Sequence, residues 1–362
     1  MKLFILYIII GITLLSCSER QEYVDKLEQA KSLLDEHPDS ALQILDSLGT
    51  NEQDFSKSFR MRFQLLKLQA QNKAFVDFTS DSIAKDLVKY YDRNGNANEK
   101  MMSHYLLGCV YRDLGEAPKA VDCYLEATSK ADTTDSDCDF YTLSAVFAQL
   151  SATFHKQLLP TYELEARKKA IYYAEKAGKL YYMTYSIERS VGSYLLLSKK
   201  DSAEIILKKA LRFYEKYNYK EDALRVSSLL INLCSDEKGK ETEVKEMIDK
   251  YDNYYKLFAS DHELPPSFRL YYCYKGKYYE GLATLDSAEY YYRKSFYPQM
   301  PFTSKDSMYK GLLSVFSKRH QADSVAKYAK LYCEVNDSSI AKKDQNITAQ
   351  MAAIYNYNRY QK

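Results

Sequence analysis

The chain has 362 residues, and its 51 basic and 49 acidic side chains leave a net charge close to zero. Binding to nucleic acid through phosphates needs a clear basic excess, so this balance predicts no nucleic-acid partner. Glycine and proline are scarce, with 11 and 7 copies, and helix-forming residues are abundant, which predicts an all-α fold.

The N-terminal segment has the pattern of a secretory signal. Lys2 precedes a largely apolar run from Leu3 to Leu15, which is too short to cross a bilayer as a helix. Leu14-Leu15-Ser16-Cys17 then resembles the processing site of bacterial lipoproteins. The resemblance implies a signal peptide over residues 1–17 and lipidation of Cys17, for example with palmitate. The alternatives are an ordinary cleaved signal with an accidental cysteine, or an uncleaved anchor.

A short sequence motif recurs along the chain, at positions where apolar helical patterns begin. An Asp or Ser side chain there can accept a hydrogen bond from the first-turn N–H groups, and the acidic side chain suits the positive end of the helix dipole. The recurrence predicts helix starts in a series of helical hairpins. The copies are Pro38-Asp39-Ser40-Ala41, Asp201-Ser202-Ala203, Asp286-Ser287-Ala288 and Asp323-Ser324-Val325.

Residues 101–134 carry the clearest repeat unit. Gly108 and Ala120 are small where two helices would cross, and Tyr111 and Tyr124 would fill the space beside them. This pattern resembles the tetratricopeptide repeat. Residues 269–302 repeat it in register, with Gly276, Tyr279, Ala288, Tyr292 and Ser295.

Two further units are weaker. Residues 184–217 keep Tyr194, Ala203 and Ala210 but place Gly192 one position late, and residues 306–339 keep little beyond the helix start. Together with other amphipathic segments, they predict an α-α superhelix, a tetratricopeptide-like solenoid of about eight hairpins across residues 22–336. Eleven apolar positions are predicted to lie in its core: Leu33, Leu34, Leu42, Leu45, Leu107, Val121, Ile187, Leu207, Leu229, Leu285 and Leu312.

The domain division that follows has a repeat domain over residues 18–337 and a long helix over residues 338–362. Ile340, Ile347 and Ile354 recur every seven residues in this last segment, with Met351 between them. The helix would either cap the solenoid or begin a stalk.

Motifs for catalysis and metal binding are missing from the sequence. None of the five histidines stands in a zinc-protease motif, and neither a nucleophile elbow nor a glycine-rich phosphate loop occurs. We therefore predict no enzyme activity, no catalytic residue, no metal and no cofactor. Most of the cysteines after Cys17 lie in apolar helical patterns, which favours buried free thiols with at most one disulfide. They are Cys109, Cys123, Cys138, Cys234, Cys273 and Cys333.

Tyrosine is unusually frequent, with 36 copies beside 15 Phe and no Trp. Neighbouring side chains on a helix point about 100° apart, so Tyr290-Tyr291-Tyr292 cannot all face a core. Some rings must be exposed, either to line a binding groove or merely to cover gaps between helices. The repeat resemblance implies that first helices line a concave surface with mixed charge. It places six residues there: Tyr105, Arg112, Tyr185, Glu188, Lys277 and Glu280.

The function favoured by these patterns is a lipid-anchored protein-protein interaction scaffold of the cell envelope. Its partner would be an unidentified envelope protein or peptide, and the lipid would hold it to the membrane. Ser18 is not the aspartate that marks inner-membrane retention in some bacteria, which favours the outer membrane. In layout, the chain resembles tetratricopeptide lipoproteins of Bacteroidetes type. The alternatives are the exported sensor half of a membrane-bound transcriptional regulator and a nutrient- or glycan-binding lipoprotein.

Overall fold

The computed structural model describes residues 21–256, 264–344 and 357, and for 255–256 and 338–344 it describes only the backbone. These parts of the chain are helical and contain no β-strand, which confirms the all-α prediction. Among them, no helix is both long and apolar enough to span a bilayer. The signal peptide with Cys17, and the segment with Ile347, Met351 and Ile354, lie outside the described residues.

The helices follow one another in neighbouring pairs. If α9 and α10 count as one interrupted helix, the described residues form eight pairs, as predicted. The helices are 21–33 (α1), Pro38–Gly49 (α2), Lys57–Lys73 (α3), Ser82–Asn94 (α4), Ala97–Asp113 (α5), Ala117–Lys130 (α6), Phe140–Lys156 (α7), Pro160–Lys176 (α8), Leu180–Arg189 (α9), Val191–Leu196 (α10), Lys200–Lys216 (α11), Lys220–Cys234 (α12), Glu241–Lys256 (α13), Leu270–Gly281 (α14), Leu285–Lys294 (α15), Phe302–Lys318 (α16) and Ala322–Asp344 (α17). The last helix continues without a break through residue 338, where the sequence predicted a separate helix to begin.

The described residues divide into two compact units. Unit 1 consists of residues 21–156, 168–179 and 357, and unit 2 of residues 157–167, 180–256 and 264–344. Each buries its own apolar clusters. Of the eleven predicted core positions, six are buried and five are half-buried. The buried ones are Leu34, Leu45, Leu107, Val121, Leu207 and Leu312, and the half-buried ones are Leu33, Leu42, Ile187, Leu229 and Leu285.

Paired helices approach closely where a glycine faces a tyrosine. A Cβ atom at Gly108 would lie 2.5 Å from the ring of Tyr124, which is fully buried, so only glycine leaves room for the ring. Gly276 and Tyr292 repeat the arrangement, with a Cβ-to-ring distance of 3.0 Å. This confirms the predicted role of small residues at the helix crossings.

The weaker unit at residues 184–217 fills the same space differently. Val191 and Leu207 stand at the positions that correspond to Gly108 and Tyr124, and both pack in one buried cluster of unit 2. A larger residue on the first helix is thus matched by a smaller one on the second. The displaced glycine, Gly192, is therefore not needed to admit a ring.

Many helices end in a residue with left-handed backbone geometry. At the end of α14, Ala283 has a φ of 59°, and the next amide, that of Thr284, donates a hydrogen bond to the carbonyl of Tyr279 at 3.0 Å. Such ends satisfy the last carbonyl groups of a helix and turn the chain within a few residues. Nine described residues have positive φ: Gly115, Gly178 and Gly239, and the non-glycine residues Phe75, Leu158, Ser198, Asn218, Ala283 and His320.

Ala283→Gly is expected to raise the free energy of unfolding by about 1 kcal/mol, because glycine adopts this backbone geometry without the steric penalty of a Cβ. Ala283 is exposed, so the change removes no buried contact. Urea unfolding followed by circular dichroism measures the effect. The matched control is Gly115→Ala, at a φ of 78°, which should lower stability by a similar amount. A less stable Ala283→Gly variant would contradict the assignment.

The aspartate of the recurring Asp-Ser motif lies two residues after the N-cap in three helices, although the sequence predicted that the motif itself caps the helix. The N-cap residues of α2, α11 and α15 are His37, Lys199 and Thr284, and none makes a side-chain capping bond. The predicted capping hydrogen bond is wrong at these helices, because each helix begins before the aspartate. The aspartates instead lie in the first turn, where they suit the helix dipole. They are Asp39, Asp201 and Asp286.

Candidate binding groove

Unit 2 contains a groove of about 680 Å³ between α12, α14 and α16. These are the first helices of three successive pairs, and α14 contacts the other two. The groove thus lies on the side that the repeat resemblance implied. Its lining includes Tyr274, Lys277, Glu280, Lys310, Ser314 and Lys318.

Glu280 is anchored in the floor of this groove. Its side chain is 13% exposed and accepts hydrogen bonds from the Tyr292 hydroxyl at 2.8 Å, the Ser314 hydroxyl at 2.5 Å and the Lys318 ammonium at 2.7 Å. Burial alone would raise the pKa of the carboxyl group, but the three donors outweigh it and hold the pKa of Glu280 below its ordinary value of 4.5. The ionised carboxylate therefore ties α14 to α15 and α16.

Glu280→Gln should lower stability at neutral pH by about 1–3 kcal/mol, because the amide replaces a charged acceptor of three hydrogen bonds. The lowered pKa means that ionised Glu280 stabilises the fold above the ordinary value of 4.5, and that this contribution disappears as the pH falls through the folded-state pKa. Thermal unfolding at a series of pH values checks this. The two proteins should differ at neutral pH and converge in acid. A constant difference across the series would contradict the charged role.

Lys277 lies on the neighbouring wall of the groove and is also held in place. Its ammonium donates hydrogen bonds to the backbone carbonyl and side-chain oxygen of Asn232, at 3.0 and 3.1 Å, and pairs with Asp236 at 2.7 Å. These contacts join α14 to the end of α12. The side chain is 30% exposed and forms part of the groove lining.

Two charged groups on α16 stand in the groove without such contacts. Lys310 is exposed and Asp306 is half-buried, and neither has a hydrogen-bond or ion-pair partner among the residues that the structure describes. Together with Ser314 and Lys318 they are spaced four residues apart and so share one face of the helix. Sequence analysis missed Lys310 and Asp306, because their unit keeps little of the repeat pattern. The four-residue spacing was the signal that could have found them.

The predicted groove residues of unit 1 lie elsewhere. Tyr105 is 7% exposed, and its hydroxyl accepts a hydrogen bond from the Asn72 amide at 3.4 Å. Arg112 donates to Asn72 at 3.2 Å and to Asp113 at 2.7 Å. Both residues therefore connect α5 to α3.

The remaining two predicted residues lie on α9 in unit 2. Tyr185 is 37% exposed, and its ring centre is 6.0 Å from the guanidinium of Arg189 and 5.8 Å from that of Arg225. Glu188 is only 3% exposed. Its carboxylate pairs with Arg225 and accepts a hydrogen bond from the Tyr214 hydroxyl at 3.1 Å. Of the six predicted residues, Lys277 and Glu280 share the groove, and their part in binding stays a prediction.

The tyrosine-rich segments divide between core and surface as predicted. In α15, Tyr290 is 56% exposed, Tyr291 is half-buried and Tyr292 is 3% exposed. Tyr292 lines the groove together with Tyr274 and Tyr278. The rings of these three tyrosines thus give the groove apolar surface next to hydroxyl groups.

The cysteines in the described residues are free thiols. Cys109, Cys138, Cys234 and Cys273 are buried, Cys123 is half-buried and Cys333 is exposed. Burial raises the pKa of the Cys273 thiol at the groove to about 11, so it is protonated and unreactive at neutral pH. Within the described ranges, no group of three or more His, Cys, Asp or Glu side chains is arranged to hold a metal ion.

Comparison with known proteins identifies the fold. No family model and no curated sequence matches the chain. Aspartyl phosphate phosphatase F from Bacillus subtilis matches with a TM-score of 0.53 and 11% identity over 94% of this chain and 93% of that chain. NprR in complex with its cognate peptide NprX matches with a TM-score of 0.53 and 12% identity, covering 93% and 96% of the two chains.

A tetratricopeptide repeat protein from Parabacteroides merdae matches with a TM-score of 0.45 and 12% identity, over 82% of this chain and 99% of that chain. Identities this low establish the fold alone. The eight helix pairs and the glycine-tyrosine crossings of the described residues agree with the two matches at a TM-score of 0.53. The chain therefore has a tetratricopeptide-repeat-like, all-α fold.

Proposed function

We propose that this chain is a non-enzymatic scaffold that binds a protein or peptide segment in the groove between α12, α14 and α16. The observation that carries the proposal is the contrast between charged groups that are held in place and charged groups that are free. Glu280 and Lys277 are held by neighbouring helices, whereas Lys310 and Asp306 have no partner in the described parts of the chain. A preformed floor lowers the ordering cost of binding, and unpaired charges give specificity.

The dimensions of the groove suit a short peptide segment. Adjacent helices pack about 8–10 Å apart, so three successive helices offer a path of roughly 20 Å. An extended peptide advances about 3.3 Å per residue, and such a path holds about six residues. Tyr274 and Tyr278 supply apolar contact, and the charged side chains of α16 supply polar contact. The NprR structure contains a bound peptide, which supports a peptide ligand for this fold.

Lipid attachment at Cys17 would place this scaffold at the cell envelope, with the outer membrane favoured. The support is the basic and apolar segment before Leu14-Leu15-Ser16-Cys17. Metabolic labelling with palmitate tests the anchor. We expect label in the native chain and none in Cys17→Ser, and recovery of the native chain in the soluble fraction would contradict the anchor.

Groove binding is tested by capturing partners of the tagged full chain after crosslinking in intact cells. We expect an envelope protein that is captured by the native chain and lost with Lys310→Glu. The matched control is Lys209→Glu on α11, an exposed lysine outside the groove lining, which should capture the same protein. Equal capture by both variants would refute the groove, and affinity for a sugar without any protein partner would favour the nutrient-binding alternative.

A further inference from the structure

The turn between α10 and α11 exposes three consecutive leucines. Leu195, Leu196 and Leu197 are 43%, 54% and 37% exposed, and the left-handed residue Ser198 follows them. Side chains of three consecutive residues rarely all face solvent when they are apolar, because exposure costs their transfer free energy. The leucines lie at the end of a helix pair and outside the groove lining.

A fourth exposed leucine lies in a neighbouring turn of the same unit. Leu158, between α7 and α8, is 46% exposed. The two turns belong to adjoining helices, since the Ser193 hydroxyl of α10 donates a hydrogen bond to the Glu163 carboxylate of α8 at 2.5 Å. We name Leu158, Leu195, Leu196 and Leu197 the leucine edge.

Basic groups lie beside the leucine edge. Lys199 follows the leucines directly, is exposed and has no ionic partner among the described residues. Lys238, in the α12–α13 turn, is likewise exposed and unpaired there. This turn is adjacent, because its Glu237 pairs with Lys200 at 2.7 Å and with a second lysine at 2.6 Å. The exposed Asp201 offsets part of this positive charge.

We propose that the leucine edge inserts into a lipid surface that carries anionic headgroups. Apolar side chains at a turn, with lysines beside them, match the acyl region and the charged headgroup region of a bilayer surface. The leucines would enter the acyl region, and Lys199 and Lys238 would reach phosphate groups. A lipid surface needs no shape complementarity, whereas a protein partner needs a pocket for its anchors. The leucines lie outside the groove lining, whereas Lys238 is part of it, and the contact is separate from the predicted lipid at Cys17.

The experiment uses the fact that the chain has no tryptophan, so that one substitution gives a single fluorescent reporter. Leu196→Trp is made in the full chain and bound to phosphatidylglycerol-containing vesicles with or without brominated lipid. We expect its emission to shift to shorter wavelength and to be quenched by the brominated lipid. Leu180→Trp is the matched control, since Leu180 is a 45% exposed leucine at the start of α9, whereas the leucine edge follows the end of α10, and it should keep solvent-like emission.

Both variants share the same N-terminus, so any difference between them reports the position of the turn and not anchoring. A second variant, Lys199→Glu in the Leu196→Trp background, should weaken the quenching. The proposal is overturned if Leu196→Trp behaves like Leu180→Trp on vesicles. It is also overturned if the shift appears without vesicles and grows with protein concentration, since a second copy of the chain would then cover the leucines. Groove variants such as Lys310→Glu should leave the shift unchanged.

Discussion

Gly311→Ala is expected to lower the free energy of unfolding by about 3 kcal/mol, because the added methyl group overpacks a filled site. A Cβ at Gly311 would lie 2.2 Å from the ring of Tyr292. The ring cannot move aside. It also packs against Gly276, where a Cβ would lie 3.0 Å from the ring, and its hydroxyl donates a hydrogen bond to Glu280 at 2.8 Å. The clash would therefore be relieved by separating α16 from α14 and α15, which also opens the groove.

Gly281→Ala is the matched control for this prediction. The nearest atom to a Cβ there is a backbone oxygen of Ser235 at 3.7 Å, an ordinary contact, so its stability should change by less than about 1 kcal/mol. In the Gly311→Ala background, Tyr292→Leu should recover part of the loss, because the smaller side chain leaves room, as Leu207 does beside Val191. Urea unfolding followed by circular dichroism measures all three. A Gly311→Ala protein as stable as the native one would refute the packing.

Glu188→Ala is expected to cost about 2–3 kcal/mol of stability. The substitution removes the buried acceptor of the Tyr214 hydroxyl and one partner of Arg225. Breaking a fully buried ion pair costs about 3–5 kcal/mol, but the Arg225 side chain is 32% exposed and keeps its pairing with Asp222, which reduces the loss.

The matched control for Glu188 is Glu215→Ala. Glu215 pairs with Lys250 at 2.5 Å, but the two side chains are 38% and 67% exposed, so its loss should cost less than about 1 kcal/mol. Thermal unfolding compares the two variants, and partner capture adds a second readout. If Glu188 contributes through folding, variants that retain the fold should still capture the partner. A stable Glu188→Ala protein that loses its partner would assign the residue to binding instead.

The repeat pattern was readable from sequence because it rests on local steric matching. Gly108 and Tyr124 lie on consecutive helices, as do Gly276 and Tyr292, so each pair is a short-range signal with a direct packing consequence. Helix ends were harder to predict. Residues such as Ala283 and His320 adopt left-handed backbone geometry, which is usually expected of glycine. The helix after Ala283 also begins before its aspartate, Asp286.

The groove was only partly predictable, because burial depends on side chains from other helices. Glu188 and Glu280 were both placed on a first helix facing the groove. Glu188 is covered by Tyr214 and Arg225, which belong to helices α11 and α12, and nothing in the sequence of α9 shows this. Lys310 was missed for the opposite reason, since it lies on a helix without the repeat signature but faces the groove.

Site-specific photocrosslinking in the native bacterium tests the groove most directly. A photoreactive residue at Ser307, which lines the groove on α16, is compared with one at Lys209 on α11. We expect a crosslink from Ser307 to one envelope protein or peptide, and no crosslink to that partner from Lys209. Crosslinking of the same partner from Lys209 but not from Ser307 would show that it binds another face of the chain and would refute binding in the groove.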